Sequence, residues 1–175
     1  MEFRKAAETD IPAIAQIYED IHTVEESGVA AIGWIRGVYP TADTARAALK
    51  RGDLFVGEEN GRVIAAAVIN QLQVDVYEGA PWQYPADDEA VMVLHTLVIS
   101  PALARSGYGR RFVEFYEEYA RTHGCPFLRM DTNAKNTRAR ALYRKLGYDE
   151  IAVVPCVFNG IDGVQLVLLE KKLSD

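Results

Sequence analysis

Cysteine is scarce in this 175-residue chain. Cys125 and Cys156 are the only two, too few for a disulfide framework and at no spacing that holds a metal. Long apolar runs are missing as well, since no stretch approaches the ~20 uninterrupted apolar residues of a membrane-spanning helix. The first ten residues, MEFRKAAETD, lack the apolar middle of a secretory signal. Together these absences predict a cytoplasmic protein with reduced thiols, no membrane association and no metal. Positive charge is in deficit: the formal net charge is −6, which argues against a nucleic-acid partner. Neither common nucleotide motif is complete. The chain has no Gly-Lys-Ser/Thr of a P-loop, and Gly107 and Gly109 are followed by Phe112 where a dinucleotide fingerprint needs its third glycine.

What is present is a chain 49% apolar, enough for one domain over residues 1–175 with a sizeable core. It shows no internal repeat, low-complexity tract or linker. Charge is spread unevenly. Between Pro101 and Lys145, ten Lys/Arg stand against four Asp/Glu, so this segment carries +6 and the remainder −12. A solvated basic helix face would account for that. The block begins at a glycine turn, however, which adds weight to a polyanionic ligand there.

Periodicity orders the chain as β-α-α-β-β-β-α-β-α-β-β. EFRKA reads as a first strand. ETDIPAIAQIYEDIH reads as a helix with Thr9 as N-cap and Ile11, Ile14, Ile17, Tyr18 and Ile21 on one stripe. Residues 25–40 are irregular, and TADTARAALKRGD is a capped helix ending at Gly52. Asn60-Gly61 is a strong hairpin signal. VMVLHTLVISP is an apolar, β-branched run typical of a central strand buried on both faces. Phe112, Phe115, Tyr116 and Tyr119 mark one face of a helix stopped by Gly124. PFLRMDT is another strand, and NTRARALYRKLGY a helix with Ala139, Leu142, Tyr143 and Leu146 facing one way. EIAVVPCVF and VQLVLLEKK close the chain as a strand pair. Strands outnumber helices without strict alternation, which gives a mixed α/β sheet with helices on both faces. The ligand site belongs at the strand ends, where the strand–turn–helix unit opens.

That unit contains ARSGYGRRF, Ala104 to Phe112. Several backbone N–H groups at a helix N-terminus, the helix dipole, and Arg105, Arg110 and Arg111 together suit a pyrophosphate, and glycine lets the ligand approach the backbone. With the nucleotide motifs excluded, the chain resembles the GCN5-related N-acetyltransferases (GNAT), which move an acetyl group from acetyl-CoA to an amine. Four pieces carry the resemblance in order: RKAAETDIPAIAQIY, LVISP, ARSGYGRRF and NTRARALYRKLGY. The last fits the family run N-x-x-A-x-x-L-Y-x-x-x-G-[FY] from Asn136 to Tyr148. The loop fits Q/R-x-x-G-x-G/A at Gly107 and Gly109, but Ala104 stands where relatives carry Gln or Arg.

The resemblance implies a mostly antiparallel twisted sheet and acetyl-CoA as acyl donor. It implies that Arg105, Ser106, Gly107, Tyr108, Gly109 and Arg110 hold the pyrophosphate through their backbone, so that the loss at Ala104 costs little. It also implies that Leu97, Val98 and Ile99 pair with the pantetheine arm. An N–H at Val98 or Ile99 would polarise the thioester carbonyl. Asn136 would lie near the pantetheine, though it also reads as a helix N-cap. Tyr143 matches the tyrosine that protonates the departing thiolate, and its plainer role is a core aromatic. For the base, His95 stands where many relatives carry glutamate and is the first choice, with a buried histidine as the plainer reading. Asp131 is second, unless it partners Arg129 or Arg105, and Glu89 is third. Relatives are often dimers, so a homodimer is an expectation that no residue here carries.

The acceptor segments are the least shared. Residues 72–90 hold Asp75, Glu78, Asp87, Asp88 and Glu89 without Lys or Arg, with Tyr77, Trp82 and Tyr84 among them; Glu25, Glu26, Trp34 and Tyr39 lie in the other variable segment. An acidic, aromatic-lined cleft would suit a small cationic amine, and a solvated acidic loop would explain the same residues. Cys156 would line that cleft or be buried structurally. The expected function is acetyl transfer to a primary amine by direct attack with base and acid assistance. A non-catalytic acyl-CoA-binding or sensor domain, or a different nucleotide binder, are the alternatives.

Overall fold

The computed structural model describes residues 1–174. Its strands are β1 (Glu2–Lys5), β2 (Leu54–Glu59), β3 (Arg62–Asn70), β4 (Val91–Ile99), β5 (Phe127–Asn133), β6 (Asp149–Phe158) and β7 (Ile161–Lys172). The helices are α1 (Ile11–Glu26), α2 (Ala42–Arg51), α3 (Tyr108–Thr122) and α4 (Thr137–Lys145). One mixed sheet joins all seven strands in the order β1-β2-β3-β4-β5-β7-β6. Only β4 and β5 run parallel; every other pairing is antiparallel. Among the described residues no helix is long and apolar enough to cross a membrane.

Local chemistry explains most boundaries. Thr41 precedes α2 in extended conformation, and Gly52 ends it in the left-handed region at φ 79°, where a Cβ would be strained. The start of α1 differs from expectation. Thr9 lies inside a 3-10 turn, Glu8–Asp10, and the organising residue is Asp10. Its carboxylate accepts from Ala7 N (2.8 Å) and is gripped by Arg4 (2.6 and 3.0 Å). The guanidinium holds the Asp10 carboxyl below the usual carboxylate range. An ion pair with Arg4 on β1, six residues upstream, thus organises this helix start in place of a Thr9 cap.

The two faces of the sheet bury different residues. On one face α1 and α2 set Ile14, Ile17, Tyr18, Ala45 and Ala48 against Leu54, Val56, Ala66 and Val68. Farther along that face Tyr77 packs with Val91, Val93, Val164 and Leu166. On the other face α3 and α4 set Phe112, Val113, Tyr116 and Tyr143 against Phe55, Met92, Leu94, Leu128 and Met130. Strand alternation is visible in β4, where Met92 and Leu94 point one way and Val91 and Val93 the other.

That alternation breaks at Thr96. Val68 pairs with His95 but Ala66 with Val98, so two steps on β3 oppose three on β4. Thr96 has φ 51°, an outlier for a β-branched residue. The extra residue is a bulge, and it reverses which face each later side chain meets. Beyond it Leu97 and Ile99 join the α3/α4 side, and Val98 the α1/α2 side. The parallel ladder between β4 and β5 stops just before the bulge, at Leu94 opposite Met130. Past that point the two strands part, and the sheet opens into a cleft.

Candidate active site

The cleft has a volume of about 1080 Å³ and runs through the gap between β4 and β5. One wall is the unpaired end of β4, Thr96 to Ile99; the opposite wall is Asp131 to Asn133 of β5. On the α3/α4 side the lining continues through Leu103–Arg110, Asn136, Leu142 and Tyr143. On the other side it is closed by residues 29–34, Tyr39, Phe158 and the β7 residues Val164 and Leu166.

The glycine loop is shaped as a cradle. Gly107 stands at φ 81° as the residue before α3, and Arg105, unusually for a residue with a Cβ, at φ 68°. The first helical bond runs from Arg111 N to the Gly107 carbonyl (3.1 Å). The N–H groups of Tyr108, Gly109 and Arg110 therefore have no partner inside the helix and open at its positive end. A Cβ on Gly109 would come within 3.3 Å of Leu142, so this glycine lets α3 approach α4. Arg105, Arg110, Lys135, Arg138 and Lys145 all line this side. A polyanionic group meets its charge complement here, while the free edge of β4 offers main-chain groups to an extended arm.

Asp131 and Tyr143 reach the cleft from opposite faces of the sheet. Among the described residues Asp131 is the only carboxylate in the lining. Burial pushes its pKa up to about 6. Tyr77 Oη donates to Asp131 Oδ2 (2.7 Å) and partly opposes that rise. Tyr143 is 7% exposed; burial first, and the charge of Asp131 second, raise its pKa well above the ordinary phenol value. It is a core aromatic of the α4 face and a lining residue at once. Asn136 likewise serves twice: its Oδ1 accepts from Ala139 N (3.1 Å) as the α4 N-cap, and it lines the cleft.

His95 is elsewhere. It precedes the bulge, does not line the cleft, and shares a hydrogen bond with Asn70 Oδ1 (3.0 Å). Asn70 in turn donates to Asp53, which Arg51 grips. Burial lowers the His95 pKa to about 4. Of the two leading candidates for the base, Asp131 faces the cleft and His95 does not. His95 precedes the bulge, paired with Val68 of β3, and on β4 the lining of the cleft begins only at Thr96. Glu89 is an exposed loop residue outside the lining.

The acidic loop also lies away from the cleft. None of Asp75, Glu78, Asp87, Asp88 and Glu89 lines the cleft. The aromatic residues of that loop are occupied internally. Trp82 lies under Arg129 (4.2 Å to the ring), and Tyr84 stacks on Phe127 (5.7 Å). Arg129 pairs not with Asp131 but with buried Glu170 (3.3 Å), whose other oxygen accepts from Gln83 N and Tyr84 N. Cys156 is half-buried and outside the lining. The other variable segment does contribute. Glu25 accepts from the Gly33 amide (3.0 Å) and from that of Ile32, and Arg36 binds Glu19 and Glu26. These bonds hold residues 27–36 across the cleft and present Trp34, edge-on to Tyr39 at 5.8 Å. Tyr39 Oη reaches Thr96 Oγ1 at the bulge. Sequence reading gave Thr96 no role and Tyr77 only a place among the aromatic residues of an acceptor cleft: a bulge leaves no mark in an apolar run, and the Tyr77–Asp131 bond spans 54 residues.

Comparison with known proteins bears on this geometry. The chain is similar to Uncharacterized N-acetyltransferase YhfO of Bacillus subtilis (strain 168), 25% identical over 153 residues, covering 86% of this chain and 91% of that protein. A GNAT-family acetyltransferase structure from Streptococcus agalactiae 2603 superposes with a TM-score of 0.82 at 23% identity, over 99% of this chain and 96% of that one. The structure of yncA from Salmonella typhimurium, solved with its cofactor acetyl-CoA, gives 0.71 at 22% identity over 100% and 95%. The two structures share the fold: a mixed sheet with helices on both faces. The Acetyltransferase (GNAT) family itself matches residues 12–148, which takes in α1, the bulged β4, the glycine loop and α4, and the chain belongs to that family.

Proposed function

We propose that this protein transfers an acetyl group from acetyl-CoA to a primary amine by direct attack, with Asp131 as general base and Tyr143 as general acid. The observation that carries this reading is a single cleft lined together by Asp131, by Tyr143 and by the edge of β4 that β5 leaves unpaired. Acetyl-CoA fits the residues present: the free amides of the glycine loop suit its pyrophosphate, and the edge of β4 suits its amide-bearing arm. Arg105, Ser106, Gly107, Tyr108, Gly109 and Arg110 hold the pyrophosphate; Leu97, Val98 and Ile99 pair with the pantetheine beside Asn136.

The chemistry follows from charge. An ammonium has no lone pair, so the acceptor first loses one proton to water and reacts as the neutral amine, and it must give up a second proton as its nitrogen bonds to the carbonyl carbon. Asp131, with a pKa of about 6, is ionised at neutral pH and takes that proton as the attacking nitrogen becomes acidic. The N–H of Val98 or Ile99 stabilises the negative charge that develops on the carbonyl oxygen. Tyr143 stays protonated at every working pH and gives its proton to the sulfur as the C–S bond breaks. Once Asp131 carries the amine proton its charge is gone, and part of what held the Tyr143 pKa high is removed. Base and acid are thereby coupled.

Calorimetry and a free-thiol assay test the reading. Tyr143→Phe should bind acetyl-CoA within about twofold of the parent while turnover falls ~100-fold or more. Unchanged turnover would remove Tyr143 as the acid, and failure of the parent to bind acetyl-CoA would remove the reading altogether.

A further inference from the structure

The two sides of the cleft differ sharply in charge. All five Lys/Arg of the lining belong to the glycine loop and to residues 135–145. On the α1 and β6–β7 side the lining includes Trp34, Tyr39, Phe158, Val164 and Leu166, and among the described residues Asp131 is the one carboxylate. Two of the neutral polar groups nearby are already engaged, and Thr132 and Asn159 line the cleft beside them. Tyr39 Oη bonds to Thr96, and Asn133 Oδ1 accepts from Lys135 N (3.0 Å).

Resting on the acetyltransfer reading, we infer that the acceptor is a monoamine whose nitrogen is joined to an apolar, aromatic or branched body and which carries no carboxylate. The ammonium meets Asp131, the only counter-charge on that side. The rest of the molecule lies against Trp34, Phe158, Val164 and Leu166, where apolar surface leaves water. A carboxylate beside the amine, as in a free amino acid, would enter an apolar wall with no Lys or Arg to meet it. A second ammonium, as in a diamine, would lack a second carboxylate. The acidic residues of 72–90, expected to serve a small cationic amine, lie outside the lining, and the aromatic residues among them hold Arg129 and Phe127. This narrows the amine expected from the sequence: one positive charge is accommodated and a further one is not.

The test uses matched amines at saturating acetyl-CoA: 2-phenylethylamine, phenylalanine, putrescine, and a tripeptide amide beginning with phenylalanine. Phenylethylamine differs from phenylalanine only by the carboxylate. Its kcat/KM should exceed those of phenylalanine and putrescine at least tenfold. Equal or better turnover of either would overturn the inference while leaving acetyl transfer intact. The tripeptide separates two sources of the same chemistry. Preference for it over phenylethylamine assigns the site to an amino terminus with an apolar side chain, and the reverse assigns it to a free amine; both support the inference.

Thermal shift of the protein–CoA complex reads selection without turnover. Stabilisation by phenylethylamine above phenylalanine and putrescine, with no amine acetylated, would support the acceptor class and sink the catalytic reading instead. Stabilisation in the opposite order overturns the acceptor class. Phe158→Asp, on a partly exposed hairpin, supplies a second carboxylate. It should raise the putrescine-to-phenylethylamine ratio of kcat/KM at least tenfold, with acetyl-CoA affinity unchanged. An unmoved ratio would remove the apolar wall from acceptor choice.

Discussion

The donor half and the acceptor half of the cleft are built by different means. The donor half comes from one nearly continuous stretch, from the β4 bulge through the glycine loop into α3, with α4 laid against it. Its working groups are backbone: an unpaired strand edge and the amides that open α3. The acceptor half is assembled from distant pieces. Trp34 is held in place by Glu25, Asp131 is bonded by Tyr77, and the loop carrying Tyr77 is fastened by Arg129 and Glu170. Backbone sites follow from local rules, and side-chain sites from contacts between residues far apart in the chain. The consequence is that the two halves should fail separately.

The largest effect is expected at the point where the halves meet. Asp131→Asn should lower kcat by ~100- to 10,000-fold, the usual range for a general base, while acetyl-CoA affinity holds within twofold. The parent should lose activity along a one-proton limb as pH falls through about 6, and the variant's residual rate should lack that limb. Stability should move the other way. The folded Asp131 pKa lies above its ordinary 3.8, so folding favours the protonated form. The ionised carboxylate costs nothing below pH 3.8 and its full penalty above about 6. At pH 7 that penalty is about 3 kcal/mol at most, and Asn, which still accepts from Tyr77, removes it. Asp131→Asn should therefore raise Tm while abolishing turnover; a lower Tm with intact turnover would mean Asp131 is structural.

Next comes the fastening of the acceptor loop. Arg129→Ala leaves Glu170 buried without its counter-ion and should cost ~3–5 kcal/mol in denaturant unfolding. It also frees Trp82 and Tyr84, so the KM for the amine should rise severalfold while acetyl-CoA affinity stays put. Weakened acetyl-CoA binding would mean that the halves are not separate.

On the donor side, Gly107→Val meets no atom within 4 Å but must adopt φ 81° with a β-branched side chain. We expect acetyl-CoA to bind ~10-fold more weakly or worse, with amine KM unchanged. Ala104→Gln, which restores the family's residue, should change binding less than twofold. Equal effects would show that the grip comes from side chains after all.

These contrasts explain what was legible in the sequence. The whole element order was readable, because amphipathic stripes, Gly52, the Asn60-Gly61 turn and the β-branched run of β4 are local signals. So were the glycine turn before α3 and the cap at Asn136 before α4, since each is set by its neighbours in sequence. The acceptor half was not. The acidic residues of 72–90 look the same in sequence whether they face a ligand or water, and only the pairing of Arg129 with Glu170 decides it. Thr96 is the sharpest case: one inserted residue reverses the facing of the strand, and nothing in VMVLHTLVISP announces it.

The smallest effect is expected at His95, which lies before that inserted residue. His95→Gln should leave kcat/KM within about threefold and keep the limb near pH 6, since the limb belongs to Asp131. What should change is acid stability. The folded His95 pKa is about 4 against an ordinary 6.5, so the neutral ring is favoured by folding. Its contribution is present above pH 6.5 and is lost as pH falls through 4. The glutamine variant, with nothing to titrate there, should flatten the stability curve by up to about 3 kcal/mol across that window. Chemical denaturation at pH 7 and pH 4.5 measures it. If His95→Gln instead lost more than 100-fold in kcat with its fold intact, the base would be His95, and the bulge would not divide catalytic from structural residues on β4.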